Sequence, residues 1–302
     1  MAKLITFVEN EDPKAVDILK TIYPHRKKTH RVGITGPPGS GKSTLVDHLI
    51  IAARKQGFSV GVICVDPTSP FTGGALLGDR IRMNKAAEDP EVYIRSMATR
   101  GSLGGMARTT EEVAEVLEAS GKEIVFIETV GVGQSELDVF NAVDTVVVVL
   151  VPESGAGVQA MKAGLMEIAH VFVVNKADRA GANRVKQEIE DVLSLAPPQD
   201  WETKVLLTQA YRGIGTHEVF EEILVHRRFL DQKQSAKDSR SSKIERKLRE
   251  LIREQFDRKA LGQKQTAEAI EREALNVMNG KIDPYTASEN LLHESIKHWH
   301  EK

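Results

Sequence analysis

A single cysteine in 302 residues excludes an internal disulfide and any metal site built from several thiolates. That residue, Cys64, lies in the apolar run Val60-Gly61-Val62-Ile63-Cys64-Val65, where a free thiol behaves as a small buried hydrophobe. An excess of charge of either sign is also missing. The formal net charge is −2, so no global basic field exists to hold a polyanion, and nucleic acid is not expected as a partner. Long hydrophobic runs are absent too. The longest uninterrupted one, Val146–Val151, falls far short of the ~20 residues of a membrane helix. The N-terminus, Met1-Ala2-Lys3-Leu4, opens no apolar segment with a small-residue cleavage site. These absences predict a cytoplasmic protein with no membrane partner.

The chain has the ordinary balance of a globular protein, 41% apolar and 28% charged, and is long enough for one large core plus an accessory element. Residues 1–30 read as a helical extension. Asp12-Pro13 supplies a cap and a first-turn proline, Val16, Ile18, Leu19 and Ile22 form its apolar face, and Tyr23-Pro24 ends it. The following His25-Arg26-Lys27-Lys28 reads as a solvated linker. Strand candidates then fall at 31–35, 60–65, 92–95, 123–128, 145–151, 171–174 and 204–208. Amphipathic segments such as Ser43–Arg54, Gly105–Ala119 and Asn183–Leu195 separate most of them. β-branched runs without alternating polarity point to a mainly parallel sheet covered on both faces. From 234 to 239 a polar linker is expected. Three helices follow, one carrying Ile244, Leu248, Leu251, Ile252 and Phe256, one over 264–278 and one from Tyr285. The predicted organisation is an extension over 1–30, an α/β domain over 31–234, and a helical region over 235–302. So small a helical region cannot bury its own apolar faces. It is expected to pack on the main domain or on a second copy.

The segment from Gly36 to Thr44, Gly36-Pro37-Pro38-Gly39-Ser40-Gly41-Lys42-Ser43-Thr44, completes the pattern G-x-x-x-x-G-K-S/T between a strand and a helix. Its glycines let main-chain N–H groups converge on phosphate oxygens at a helix N-terminus. Lys42 adds a point charge for the β- and γ-phosphates, and Ser43 a hydroxyl for Mg²⁺. Asn175-Lys176-Ala177-Asp178, at the end of an apolar run, selects the base. A carboxylate at Asp178 accepts from the N1–H and exocyclic amine of guanine, a donor pair that adenine lacks. Asn175 ties down the phosphate loop, and the Lys176 stem covers the ring. Thr208-Gln209-Ala210 is placed to give a main-chain N–H to the guanine carbonyl. Glu128-Thr129-Val130-Gly131 ends another strand, with Gly131 set to meet a γ-phosphate and Glu128 to act in the metal shell. Asp66 and Asp79 are further oxygen ligands for a hard cation. The fold class predicted is therefore α/β: a P-loop NTPase of the G-domain type, binding GTP or GDP with Mg²⁺.

Taken together these motifs resemble the methylmalonyl-CoA mutase-associated GTPases of the MeaB/ArgK type. The matching stretches also include Val65-Asp66-Pro67-Thr68-Ser69-Pro70, Arg95-Ser96-Met97-Ala98-Thr99-Arg100-Gly101 and Val132-Gly133-Gln134-Ser135-Glu136. The resemblance implies a GTP-hydrolysing chaperone of an adenosylcobalamin-dependent acyl-CoA mutase, homodimeric through its C-terminal helices. It assigns Ser43, Asp66, Asp79 and Glu128 to the Mg²⁺ neighbourhood. Lys162 matches a lysine of the family's additional loop, here Pro152–Gly164, that is tied to GTPase activation. This loop departs from the acidic pattern usual in the family, which bears on the client mutase. Lys42, Glu128 and Lys162 are the catalytic candidates, with Arg100 and Arg108 as possible fingers for the transferring phosphoryl group. Two other readings share the P-loop: an ATP-dependent kinase or transport ATPase, and a nickel-enzyme metallochaperone, which a one-cysteine chain serves poorly.

Overall fold

The computed structural model describes residues 1–67, 88–99, 105–129, 143–154, 164–197, 200–233, 235–257 and 264–300. They fall into two compact units, Met1–Lys233 and Gln234–Lys302.

The first unit is built on seven parallel strands: β1 (His30–Thr35), β2 (Val60–Pro67), β3 (Val92–Thr99), β4 (Ile124–Thr129), β5 (Thr145–Leu150), β6 (Val171–Val174) and β7 (Lys204–Leu207). Their order is β3-β2-β4-β1-β5-β6-β7, so β1 is central, between β4 and β5. Every residue of β4, β5 and β6 is buried, as expected for a sheet covered on both faces. One face packs Val32, Ile34 and Phe126 against Leu45 and Leu49 of α3 (Lys42–Lys55), together with Phe220 and Ile223 from the helix Thr216–Gln232. The other face packs Val125, Ile127 and Phe172 beneath Val113 and Leu117 of α4 (Gly105–Ala119), with Val185 and Ile189 from the helix Ala182–Leu195. Phe126, Phe172 and Phe220 are fully buried, and each contributes roughly 1.5–3 kcal/mol over an exposed ring. Cys64 is buried in the first of these faces.

The N-terminal residues form two helices, α1 (Ala2–Glu9) and α2 (Lys14–Ile22), and belong to the same unit as the sheet. Pro13 occupies the N-cap position of α2, and just before it Asp12 accepts from the Lys14 N–H at 2.9 Å in a local turn. Ile5, Val8 and Ala15 join the core, whereas Val16 is 47% exposed. At 100° per residue the buried stripe runs through Ala15, Leu19 and Ile22, and Val16 falls outside it. The basic run is more than a solvated linker. Arg26 lies over the Tyr23 ring and donates to Glu115 at 2.8 Å, and Lys28 pairs with Asp231 at 2.7 Å. Carboxylates on the neighbouring helices, which sequence spacing does not reveal, recruit these cations.

The second unit holds the helices Ser235–Phe256, Lys264–Met278 and Pro284–His300. The first begins inside the stretch expected as a linker. Its Ser, Ala and Lys residues oppose a helix only weakly, and extending a helix costs less than nucleating one. Among the described residues, no helix is long and apolar enough to cross a membrane.

Candidate nucleotide site

The chain leaves β1 at Thr35 and turns through Gly36, Gly39 and Gly41, whose φ angles are +145°, +74° and +93°. At two of these positions space alone demands glycine. A Cβ on Gly36 would lie 2.0 Å from the Val149 carbonyl oxygen, and one on Gly41 would lie 2.3 Å from Asn175 Nδ2. The loop is therefore pressed against the ends of β5 and β6, and it opens directly into α3. Lys42 is buried and folds back, donating from Nζ to the carbonyls of Gly36 at 2.9 Å and Pro37 at 3.1 Å. Ser40 is buried within the loop, and its hydroxyl makes no hydrogen bond. Thr44 is exposed on the first turn of α3.

Next to β1 runs β4, with Ile34 in register with Glu128. This register brings the last acidic residue of β4 to the start of α3, where Ser43 Oγ donates to Glu128 Oε1 at 2.7 Å. Glu128 is buried. On the far side of β4, Cys64 of β2 aligns with Glu128, which sets the backbone of Asp66 just beyond at the carboxyl end of β2. A hydroxyl and a carboxylate at the mouth of a parallel sheet form a hard-oxygen donor set, the kind Mg²⁺ prefers. These residues fit the ion.

The base-reading motif follows β6. Asn175 is buried and has three partners. Its Nδ2 donates to the Ser40 carbonyl at 2.8 Å, and its Oδ1 accepts from Thr208 Oγ1 at 3.0 Å and from the Ala210 N–H at 2.9 Å. One side chain thus joins the phosphate loop, the end of β6 and the loop after β7. Lys176 takes φ +56°, a left-handed conformation seldom seen outside glycine, and Asp178 is exposed. The Ala177 N–H donates to the Thr208 carbonyl at 2.9 Å, so the two loops run together. Gln209 closes a small antiparallel bridge with Ile214. The Ala210 N–H, the main-chain donor that the sequence offers to a guanine carbonyl, is shared with Asn175.

Of the expected site residues, the structure brings together Gly36, Gly39, Ser40, Gly41, Lys42, Ser43, Thr44, Glu128, Asn175, Lys176, Asp178, Thr208, Gln209 and Ala210 at the carboxyl ends of β1, β4, β6 and β7. This is where parallel sheets bind ligands, beside the strand at which the order reverses. Asp79, Gly131, Lys162 and Arg100 lie outside the described residues, as does the side chain of Asp66. Arg108 is held elsewhere, within 3.6 Å of Glu11 and 3.7 Å of Glu112 on the α1 side of α4.

Sequence reading missed Asp47, one turn beyond Ser43 on α3. Its Oδ1 is buried without a hydrogen bond, and desolvation lifts its carboxyl to about 6. The four-residue spacing from Ser43 was the available signal.

A model of the family described as "Methylmalonyl Co-A mutase-associated GTPase MeaB" matches residues 1–265. The chain belongs to this MeaB family. Its relatives agree over long spans. A Pyrococcus horikoshii protein named as a GTPase is 47% identical over 300 residues, covering 98% of this chain and 94% of that protein. The Escherichia coli protein named GTPase ArgK is 36% identical over 233 residues, covering 74% of this chain and 70% of its own length. Among solved structures, the crystal structure titled LAO/AO transport system kinase superposes with a TM-score of 0.72 at 26% identity, over 97% of this chain and 91% of that one. This MeaB-family chain is accordingly a GTPase with a P-loop α/β fold.

Proposed function

We propose that this MeaB-family GTPase runs a Mg²⁺-dependent GTP–GDP cycle on behalf of an adenosylcobalamin-dependent acyl-CoA mutase, gating cofactor loading, protection or repair. The observation that carries the nucleotide part is the Asn175 bridge. It fastens a phosphate cradle to a loop whose exposed carboxylate, Asp178, suits guanine. The mutase part rests on the family's description.

In this reading Ser43 and Glu128 hold the ion, with Asp66 and Asp79 as further oxygen donors. Mg²⁺, when bound, supplies positive charge against the phosphate oxygens. Lys42 trades the Gly36 and Pro37 carbonyls for the β- and γ-phosphates, and the loop amides share the charge that spreads as water displaces GDP in line. Asp178 accepts from the two guanine donors, while Asn175 keeps the phosphate loop and base loop at a fixed separation. Lys162 is the activating residue in this scheme, which fits slow turnover until a partner docks.

The three C-terminal helices form the proposed dimer surface. Ile244, Leu248 and Ile252 recur on one face and are each at least half exposed. They present an apolar stripe suited to a second copy.

The test uses the purified full chain. GTP and GDP are expected to raise its melting temperature with Mg²⁺ present, and ATP is expected to leave it unchanged. A tagged chain should capture an acyl-CoA mutase whose complex changes size between a non-hydrolysable GTP analogue and GDP. Preference for ATP would end the guanine reading, and equal mutase binding in both nucleotide states would end the chaperone cycle.

A further inference from the structure

Asp178 is followed directly by a cation, Arg179, and a carboxylate meant for guanine donors should not be occupied by its own neighbour. The structure supplies a third group. Leu150 at the end of β5 pairs with Val174 at the end of β6, so the chain leaving each strand emerges side by side. Just past β5, a short turn over Pro152–Ser154 carries Glu153. Past β6, the Arg179 N–H donates to the Lys176 carbonyl at 3.0 Å, folding the base-reading loop into a turn. There Arg179 Nη1 donates to Glu153 Oε1, forming an ion pair with Glu153 and not with the adjacent Asp178.

We propose that Glu153 is a positioning residue for base recognition: by pairing with Arg179 it draws the guanidinium off Asp178 and leaves the Asp178 carboxylate open to guanine. This rests on the guanine reading above and extends it to a residue outside the base-binding motifs.

The electrostatics agree with the geometry. Glu153 is held below the ordinary carboxylate range, first by the Arg179 hydrogen bond, with Lys176 as a smaller contributor. Arg179 is held above its ordinary value, first by Glu153, and Asp178 contributes less. Removing Glu153 makes Asp178 the remaining carboxylate beside Arg179, and the pair then competes with N1–H and the exocyclic amine of the base. Both partners are about half exposed, so the effect belongs in the range of a surface ion pair and is screened by salt.

The experiment compares full-length wild type, Glu153→Gln, Arg179→Ala and the double variant, with fluorescent GDP at about 50 mM and 500 mM salt and an ADP analogue as control. Glu153→Gln is expected to weaken GDP about three- to five-fold at low salt, with most of the loss gone at high salt. Arg179→Ala should bind near wild type, and the double variant should match Arg179→Ala, because no cation remains to block Asp178. Unchanged affinity in Glu153→Gln would overturn the proposal. So would a double variant as weak as Glu153→Gln, or a loss insensitive to salt, since each indicates local damage to the loop. If wild type itself prefers the ADP analogue, the guanine reading fails and this proposal fails with it.

Discussion

Asn175 donates its side-chain amide to the Ser40 carbonyl at 2.8 Å, fastening the end of β6 to the phosphate loop that follows β1. The same side chain accepts from Thr208 and Ala210. Asn175→Ala leaves one carbonyl, one hydroxyl and one N–H buried without this partner, each costing about 1–3 kcal/mol. The melting temperature should fall by several degrees, and GDP affinity by at least about a hundredfold, read by calorimetric titration and thermal melting.

Two glycines of the phosphate loop should respond very differently to the same substitution. Gly36→Ala drives a methyl to within 2.0 Å of the Val149 carbonyl oxygen at φ +145°. A loss on the order of 3 kcal/mol or more is expected. Gly39→Ala meets nothing within 4 Å, so only its φ of +74° is penalised, at about 1 kcal/mol. Thermal melts of the two variants check the ranking, and equal losses would contradict the close approach to β5.

Asp47 makes stability depend on pH. Desolvation raises its carboxyl to about 6, so across the range from an ordinary carboxylate up to that value the folded protein binds more protons than the unfolded chain. Its contribution is therefore complete in acid and is lost as pH rises through about 6. Asp47→Asn should melt a few degrees higher than wild type at pH 7.5 and show little difference near pH 4. A gain that is the same at both values would rule out this origin.

Glu128 accepts from Ser43 Oγ, and glutamine preserves that acceptor while removing the charge. Glu128→Gln should fold normally and keep nucleotide at near wild-type affinity in the absence of metal. It should require roughly tenfold more Mg²⁺ for hydrolysis and turn over about a hundredfold more slowly. Phosphate release measured across a Mg²⁺ series provides the check.

Much of this was legible in the sequence for a physical reason. Strands buried on both faces, such as Thr145–Leu150, are written as unbroken β-branched runs, and the glycines around Lys42 mark a loop that little else folds into. The N-K-x-D motif carries its chemistry in its residue types. The parts that were not legible depend on long-range neighbours. Val16 looked like part of a core face until the docking angle of α2 favoured Ala15. Arg26 looked solvated until Glu115 met it from α4, 89 residues away in sequence. Asp47 is one more polar residue on a helix until the burial of its carboxyl is known. The Ala210 N–H is a free donor in sequence, and a shared one once Asn175 is placed.

The central position of β1 has a consequence during synthesis. β1 is the first of the seven strands to emerge from the ribosome, yet its two neighbours, β4 and β5, are made only after residue 123. For that interval both flanks of the strand lack their permanent hydrogen-bond partners, a condition that invites pairing with other nascent chains. Production of this protein should accordingly be sensitive to translation speed between β1 and β4, and helped by holdases that shield extended segments.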